Sequence, residues 1–220
     1  MFCQLDTLRR CLPARIRRTL DELPKTLDAT YERTLQDIVE TNWEFAHRLF
    51  QCIAVSSRPL LVEELAEYLA IDFDVEGMPI LEAGWRPQNP GDAVLSVCSS
   101  LIAFVIVDGS LVVQFSHFSV KEFLTSSRFS SERISRYRIS RYRISFEPAH
   151  AIVVQACLSI LLQLDSHTNK GSIENYPLAR YAARHWVDHA KFQNVLTRAE
   201  DVMTKAITHL LDRDRHHFAA

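Results

Sequence analysis

The chain has 220 residues, with 25 Lys and Arg against 27 Asp and Glu for a net charge of −2, so no global field draws it to nucleic acid or anionic lipid. It is 47% hydrophobic and 24% charged, which suffices for a core without disulfides or metals and excludes intrinsic disorder. Only five glycines occur, which argues against phosphate-cradling loops, turn-dense β folds and collagen-like folds.

Residues Leu8 to Leu23 read as a short basic helix, with Arg9, Arg10, Arg15, Arg17 and Arg18 around Leu12, Ile16 and Leu20. Pro24 suits the first turn of a second helix, whose stripe is Leu27, Tyr31, Leu35 and Ile38. Thr41 to Glu44 fits a capping box, opening a third helix through Phe45, Leu49, Phe50 and Ile53. After Arg58-Pro59, LLVEELAEYLA predicts a short amphipathic helix packed through Leu61, Leu65 and Leu69. From Ile71 to Asp92 three prolines and three glycines break the periodicity, which predicts an acidic loop.

Asp92 to Ile102 reads as a buried helix, followed by a strand over Ala103 to Val107 and another over Leu111 to Phe115. Asp108-Gly109 between them is a hairpin signal, because both turn positions favour positive φ. Three helices and a two-stranded wing form the winged-helix order. FSHFSVKEFLTSS resumes a helix through Val120, Phe123 and Leu124. The unit SRYRI then occurs twice in tandem, at 135–139 and 140–144. Its odd period places the two Tyr/Ile pairs on opposite faces of any single strand, so either a bulge lies near Ser140 or one copy is looped out. Further helices are expected over Pro148 to Leu164, from Tyr176-Pro177 through Trp186 and Val187, and more weakly from Val195 to Leu211. The fold class expected is mainly α: a winged-helix domain followed by a helical subdomain.

Catalytic and metal motifs are sparse. Neither G-x-x-x-x-G-K-[ST] nor G-x-S-x-G occurs, so no local phosphate loop or nucleophile elbow is written in the chain. Glu63-Glu64 reads as part of a solvated acidic face. His185 and His189 are four apart on an expected helix and could present two imidazoles to one ion, but no third ligand is evident. The favoured reading is one partly buried and one exposed histidine beside Trp186. Cys3, Cys11, Cys52, Cys98 and Cys157 are scattered, with no CxxC pair, which suits a reducing compartment. The N-terminus lacks the apolar core of a secretory signal, and the longest apolar run, Leu101 to Val107, is far below the ~18 residues of a membrane span. A cytoplasmic protein without membrane contact is expected.

DNA binding is tested by charge. The helix in the reading position, Asp92 to Ile102, has no Lys or Arg, and the hairpin tip carries Asp108. From Leu61 to Asp92 there are eight acids against Arg86 alone. That surface repels phosphate. The arginine patch between Arg128 and Arg143 lies outside the reading elements, so no nucleic-acid partner is expected. His117, between the second wing strand and the next helix, reads as a capping or core residue. Its alternative is contact with a phosphate held by a neighbouring domain.

Five stretches carry a family resemblance: LDELPKTLDATYERTL, SRPLLVEELAEYLAID, VLSVCSSLIAFV, FSHFSVKEFLTSS and YAARHWVDHA. In that order they resemble the region after the NACHT NTPase core of fungal NACHT–ankyrin proteins, whose winged helix is also catalogued as the GPI inositol-deacylase type. The resemblance implies that 1–23 ends the helical region of the NTPase module and 24–130 is the winged helix. It also implies that 131–146 is a basic strand or linker and 147–220 a helical subdomain leading toward repeats. It implies a non-catalytic regulatory module, a fragment of a switching NTPase, with no enzyme activity or cofactor of its own. ADP or ATP is expected only with the missing core. Partners implied are that core, the C-terminal repeats and other proteins, with oligomerisation in the full-length protein. FSHFSVKEFL is similar in placement to the MHD motif of related switches, which implies nucleotide sensing by His117. A DNA-binding winged helix and a lipid- or ester-hydrolase-associated domain are the alternatives.

Overall fold

The computed structural model describes residues 26–126, 139–164, 173–193, 195 and 201–211. The basic segment over 8–23, Pro24, Cys3, Cys11 and the first SRYRI copy up to Arg138 lie outside these residues. Helix α1 (Leu27–Gln36) starts under a threonine cap, with Ala29 N–H donating to Thr26 Oγ1 at 3.1 Å. Tyr31, Leu35 and Ile38 bury as their spacing predicts, whereas Leu27, at the first position, stays 54% exposed.

A 3-10 turn (Glu40–Asn42) leads into α2 (Trp43–Val55). The expected capping box does not form. Asn42 N–H bonds back to Val39 O at 2.8 Å, and Asn42, not Thr41, occupies the N-cap, without a side-chain bond. Ala46, Leu49, Phe50, Cys52 and Ala54 of α2 bury completely or nearly so. Each large apolar side chain so buried contributes about 1.5–3 kcal/mol.

Strand β1 (Leu60–Leu61) and the short helix α3 (Val62–Glu67) replace the single expected helix, and a 3-10 turn (Tyr68–Ala70) follows. Leu60, Val62, Leu65 and Tyr68 bury, while Leu61 and Leu69 are only half-buried. The shift arises because Leu60 and Leu61 pair with the wing instead of winding into the helix. The acidic loop holds a small hairpin, β2 (Ile71–Asp72) against β3 (Ile80–Leu81). Helix α4 (Pro90–Cys98) begins at Pro90 itself, whose missing N–H costs nothing at a first helical position. Val94, Val97 and Cys98 face inward, and Leu95 and Ser96 face solvent.

Strands β4 (Ile102–Val107) and β5 (Ser110–Phe115) form the wing, in register from Ile102↔Phe115 to Val107↔Ser110. Asp108 (φ 48°) and Gly109 (φ 78°) make the turn with both residues left-handed, the conformation that matches strand twist. The sheet order is β1-β5-β4, all antiparallel. Helix, strand, helix, helix, strand, wing, strand is the full winged-helix order, including the first strand that the sequence pattern left hidden.

Helix α5 (Phe118–Thr125) buries Val120, Phe123 and Leu124. The second SRYRI copy does not form a strand. Tyr142 N–H bonds Ile139 O at 2.9 Å and Arg143 N–H bonds Ser140 O at 3.1 Å, so the backbone turns helically. That turn lets Ile139 and Tyr142 bury together, with Ile144 tied to Leu124 O at 2.8 Å. Arg141 pairs bidentately with Glu40 and lies 4.8 Å over Trp43.

Helix α6 (Phe146–Gln163) packs against α2, α7 (Ala179–Ala190) and α8 (Asp201–Leu211). It is long and apolar enough by composition to cross a membrane, and its inward residues are occupied by these neighbours. One core runs from Tyr31 to Ala182, joining the winged helix to α6 and α7, and a smaller cluster joins α6 to α8.

Candidate functional site

Two histidine-centred polar chains stand out among the described residues. The first begins at the junction of β5 and α5. His117 is in extended backbone (φ −153°, ψ 147°) and caps α5, with Ser119 N–H donating to its Nδ1 at 3.3 Å. Ser119 Oγ lies 2.7 Å from the same nitrogen and 2.7 Å from Tyr31 Oη. Tyr31 is anchored in the core against Phe123, ring centroids 5.4 Å apart. His117 itself is exposed, beside the exposed ring of Phe118. The Nδ1 edge of the imidazole is thus held by Ser119 of α5, which is in turn bonded to Tyr31 of α1, and the residue is otherwise exposed. A ring placed this way can offer one hydrogen bond to an anionic oxygen.

The second chain is buried. His189 on α7 is 1% exposed, and its Nε2 lies 2.9 Å from Tyr181 Oη and 3.3 Å from Ser57 Oγ. Ser57 N–H donates to Tyr181 Oη at 3.0 Å. The other ring nitrogen, Nδ1, meets His150 Nδ1 at 2.8 Å, and His150 stacks on Phe192 at 3.9 Å. Burial pushes the His189 pKa down to about 4, and His150 also falls below its usual value by burial. Both nitrogens of His189 are engaged within the protein, so no lone pair is left for an ion. His185 is half-buried and sits 3.8 Å from Asp188 Oδ2 and 4.8 Å from the Tyr181 ring centroid. The structure therefore does not bring His185 and His189 to one point. Among the described residues no group of three His, Cys, Asp or Glu is placed to hold a metal.

Ser57 also lines a cleft of about 250 Å³ with Ser56, Arg58, Val113 and Gln114. A serine beside a histidine suggests acyl transfer, but the geometry opposes it. The Ser57 amide is spent on Tyr181, the tyrosine hydroxyl is nearer to Nε2 than Ser57 Oγ is, and His189 is a poor base at neutral pH. The chain ties the end of α2 to α6 and α7. His150 and Ser57 carried no sequence signal, because nothing in spacing reports partners 39 and 132 residues away.

Two carboxylates depart from the expected solvated face. Glu63 is exposed, but Glu64 is 2% exposed and takes both Arg58 Nη1 (2.8 Å) and Nη2 (2.5 Å), plus the Leu61 N–H at 2.8 Å. Glu67 is buried against Arg86, which offsets part of the upward pKa push of burial. These are structural ion pairs that fix α3. Cys52, Cys98 and Cys157 are buried thiols, with burial raising all three and Cys52 reaching about 12. Burial of this kind disfavours the thiolate that a cysteine needs in order to react.

The reading helix α4 contains no Lys or Arg and exposes Asp92, Leu95 and Ser96. At the wing tip Ile106 is 73% exposed and sits opposite exposed Leu111, beside Asp108.

Residues 31–135 match the family model described as GPI inositol-deacylase, winged helix domain. The chain is 34% identical over 177 residues to the azaphilone pigments biosynthesis cluster protein L of Monascus ruber, an alignment covering 77% of this chain and 36% of that protein. It thus spans little more than a third of its relative. No solved structure matches the chain. The strand order and the wing turn agree with that match: the described part of the chain folds as a winged helix, and residues 31–135 are similar to the winged-helix domain of GPI inositol-deacylase type.

Proposed function

We propose that the chain is a non-catalytic regulatory module of a larger NACHT-type signal-transduction NTPase, relaying nucleotide state through protein contacts. The observation that carries this reading is the surface of the reading elements. Helix α4 and the wing tip present acid and aliphatic carbon where a DNA reader presents Lys, Arg or Asn. An apolar wing tip suits a protein face. His117 supports the relay, since an exposed imidazole held by Ser119, itself bonded to Tyr31 of α1, can favour one nucleotide state by touching its phosphate. Such a differential contact is what a two-state switch requires. The nucleotide itself belongs to an NTPase core, and the chain contributes a lid. A cytoplasmic setting follows from this role.

The test is a pair of titrations on the purified chain. Fluorescence anisotropy with duplex DNA is expected to show no salt-dependent association, and calorimetry with ATP no binding. Tight DNA binding with a steep salt slope would establish the DNA-reading alternative. ATP turnover would overturn the non-catalytic assignment.

A further inference from the structure

We propose that Tyr31 and Ser119 are positioning residues that hold His117 as an outward Nε2–H donor for an anionic oxygen of phosphate type. The backbone amide bond shows the direction of the protons in the chain, and the two shorter hydroxyl bonds supply most of its hold. A backbone N–H can only donate, and Ser119 N–H points at His117 Nδ1 from 3.3 Å, so Nδ1 is an acceptor. Ser119 Oγ, 2.7 Å from that acceptor, directs its own O–H into it. The lone pairs left on Ser119 Oγ face Tyr31 Oη at 2.7 Å, so Tyr31 is the donor there. With Nδ1 unprotonated, the neutral ring carries its hydrogen on Nε2, on the side away from α5. A solvent-facing N–H of fixed tautomer recognises an acceptor-only group, and phosphate oxygens are of that class.

The relay also says how the site is regulated. Tyr31 belongs to α1 and Ser119 to α5, 88 residues apart, and their hydroxyls meet only while the two helices stay packed through Tyr31 and Phe123. Sliding α1 off α5 removes the donor behind Ser119 and frees its hydroxyl to turn away from Nδ1. The ligand class rests on the nucleotide-sensing reading of His117, whereas the tautomer and the two positioning residues do not.

The experiment is nitrogen NMR of the imidazoles in the 15N-histidine-labelled full chain, with His117 assigned by His117→Gln. The wild type is expected to show a single Nε2–H tautomer at His117. Ser119→Ala leaves Nδ1 only the long 3.3 Å bond from the backbone N–H, and Tyr31→Phe frees the Ser119 hydroxyl to accept as well as donate, so each is expected to admit an Nδ1–H population beside Nε2–H, while Ser119→Thr restores the single tautomer. Tyr31→Phe keeps the ring against Phe123, so it reports the hydroxyl and not the fold. An Nδ1–H tautomer in the wild type, or no change in either variant, overturns the relay. Retention of ADP in the NTPase-bearing protein is measured separately on His117→Ala. Loss of retention together with an unperturbed tautomer in the variants refutes the positioning role alone. An intact relay with unchanged retention refutes the phosphate ligand.

Discussion

At the scale of single residues, polar groups that the sequence presents as surface are buried and fixed by specific partners. Glu64 is the clearest instance: its neighbours Glu63 and Glu67 suggest a solvated acidic face, yet Arg58 and the Leu61 amide enclose it. Glu64→Gln removes the charge that Arg58 pairs with, and since Arg58 is partly exposed we expect a loss of about 2 kcal/mol rather than the full cost of a buried pair. Chemical denaturation measures it. His189 predicts a pH dependence. Its folded pKa, about 4, lies below the unfolded value near 6.5, so the unfolded chain binds the extra proton between those limits. Stability therefore falls as pH drops from 6.5 toward 4, by up to about 1.4 kcal/mol per pH unit. Melting temperatures at pH 7 and pH 5 should differ more in the wild type than in His189→Gln. Equal differences would remove His189 from the account. Cys52, Cys98 and Cys157 should react with an aromatic disulfide reagent only after unfolding.

At the scale of elements, periodicity and turn chemistry carried the helices and the wing, because these depend on neighbours within a few residues. Asp108-Gly109 is legible for that reason, and both residues adopt the left-handed backbone. Gly109→Val should cost about 1–2 kcal/mol in the same denaturation assay, since a side chain there disfavours φ near 78°. Strand β1 was not legible: two residues paired to β5 leave no period to detect, and their leucines were absorbed into the helical stripe of α3. The capping box at Thr41 failed because a 3-10 turn took over the helix entry. The tandem SRYRI pattern resisted a strand reading on parity, and a helical turn across the junction of the copies resolves it, burying Ile139 of the first together with Tyr142 of the second. Ile106→Ser with Leu111→Ser at the wing tip should leave stability within about 0.5 kcal/mol, as exposed substitutions do. The same pair should weaken association with a protein partner recovered by the wild type.

At the scale of the whole molecule, the near-neutral net charge conceals an uneven surface. Acid and exposed aliphatic carbon occupy the reading helix and wing, and the arginines lie elsewhere in the sequence. The winged-helix fold was legible because its order of elements is itself a pattern. The His117 site was legible only in part: its capping position follows from sequence, whereas the Tyr31–Ser119 brace needs α1 brought against α5 across 88 residues. Of the Ser57–Tyr181–His189–His150 chain only His189 drew notice in the sequence, its partners did not, and the chain binds the winged helix to α6 and α7. Protein contacts relaying nucleotide state are the central claim. The most direct test is ADP dissociation from the NTPase-bearing protein that contains this region, compared between wild type and His117→Ala. The account predicts faster ADP release and more spontaneous oligomer in the variant, and an unchanged dissociation rate would contradict it.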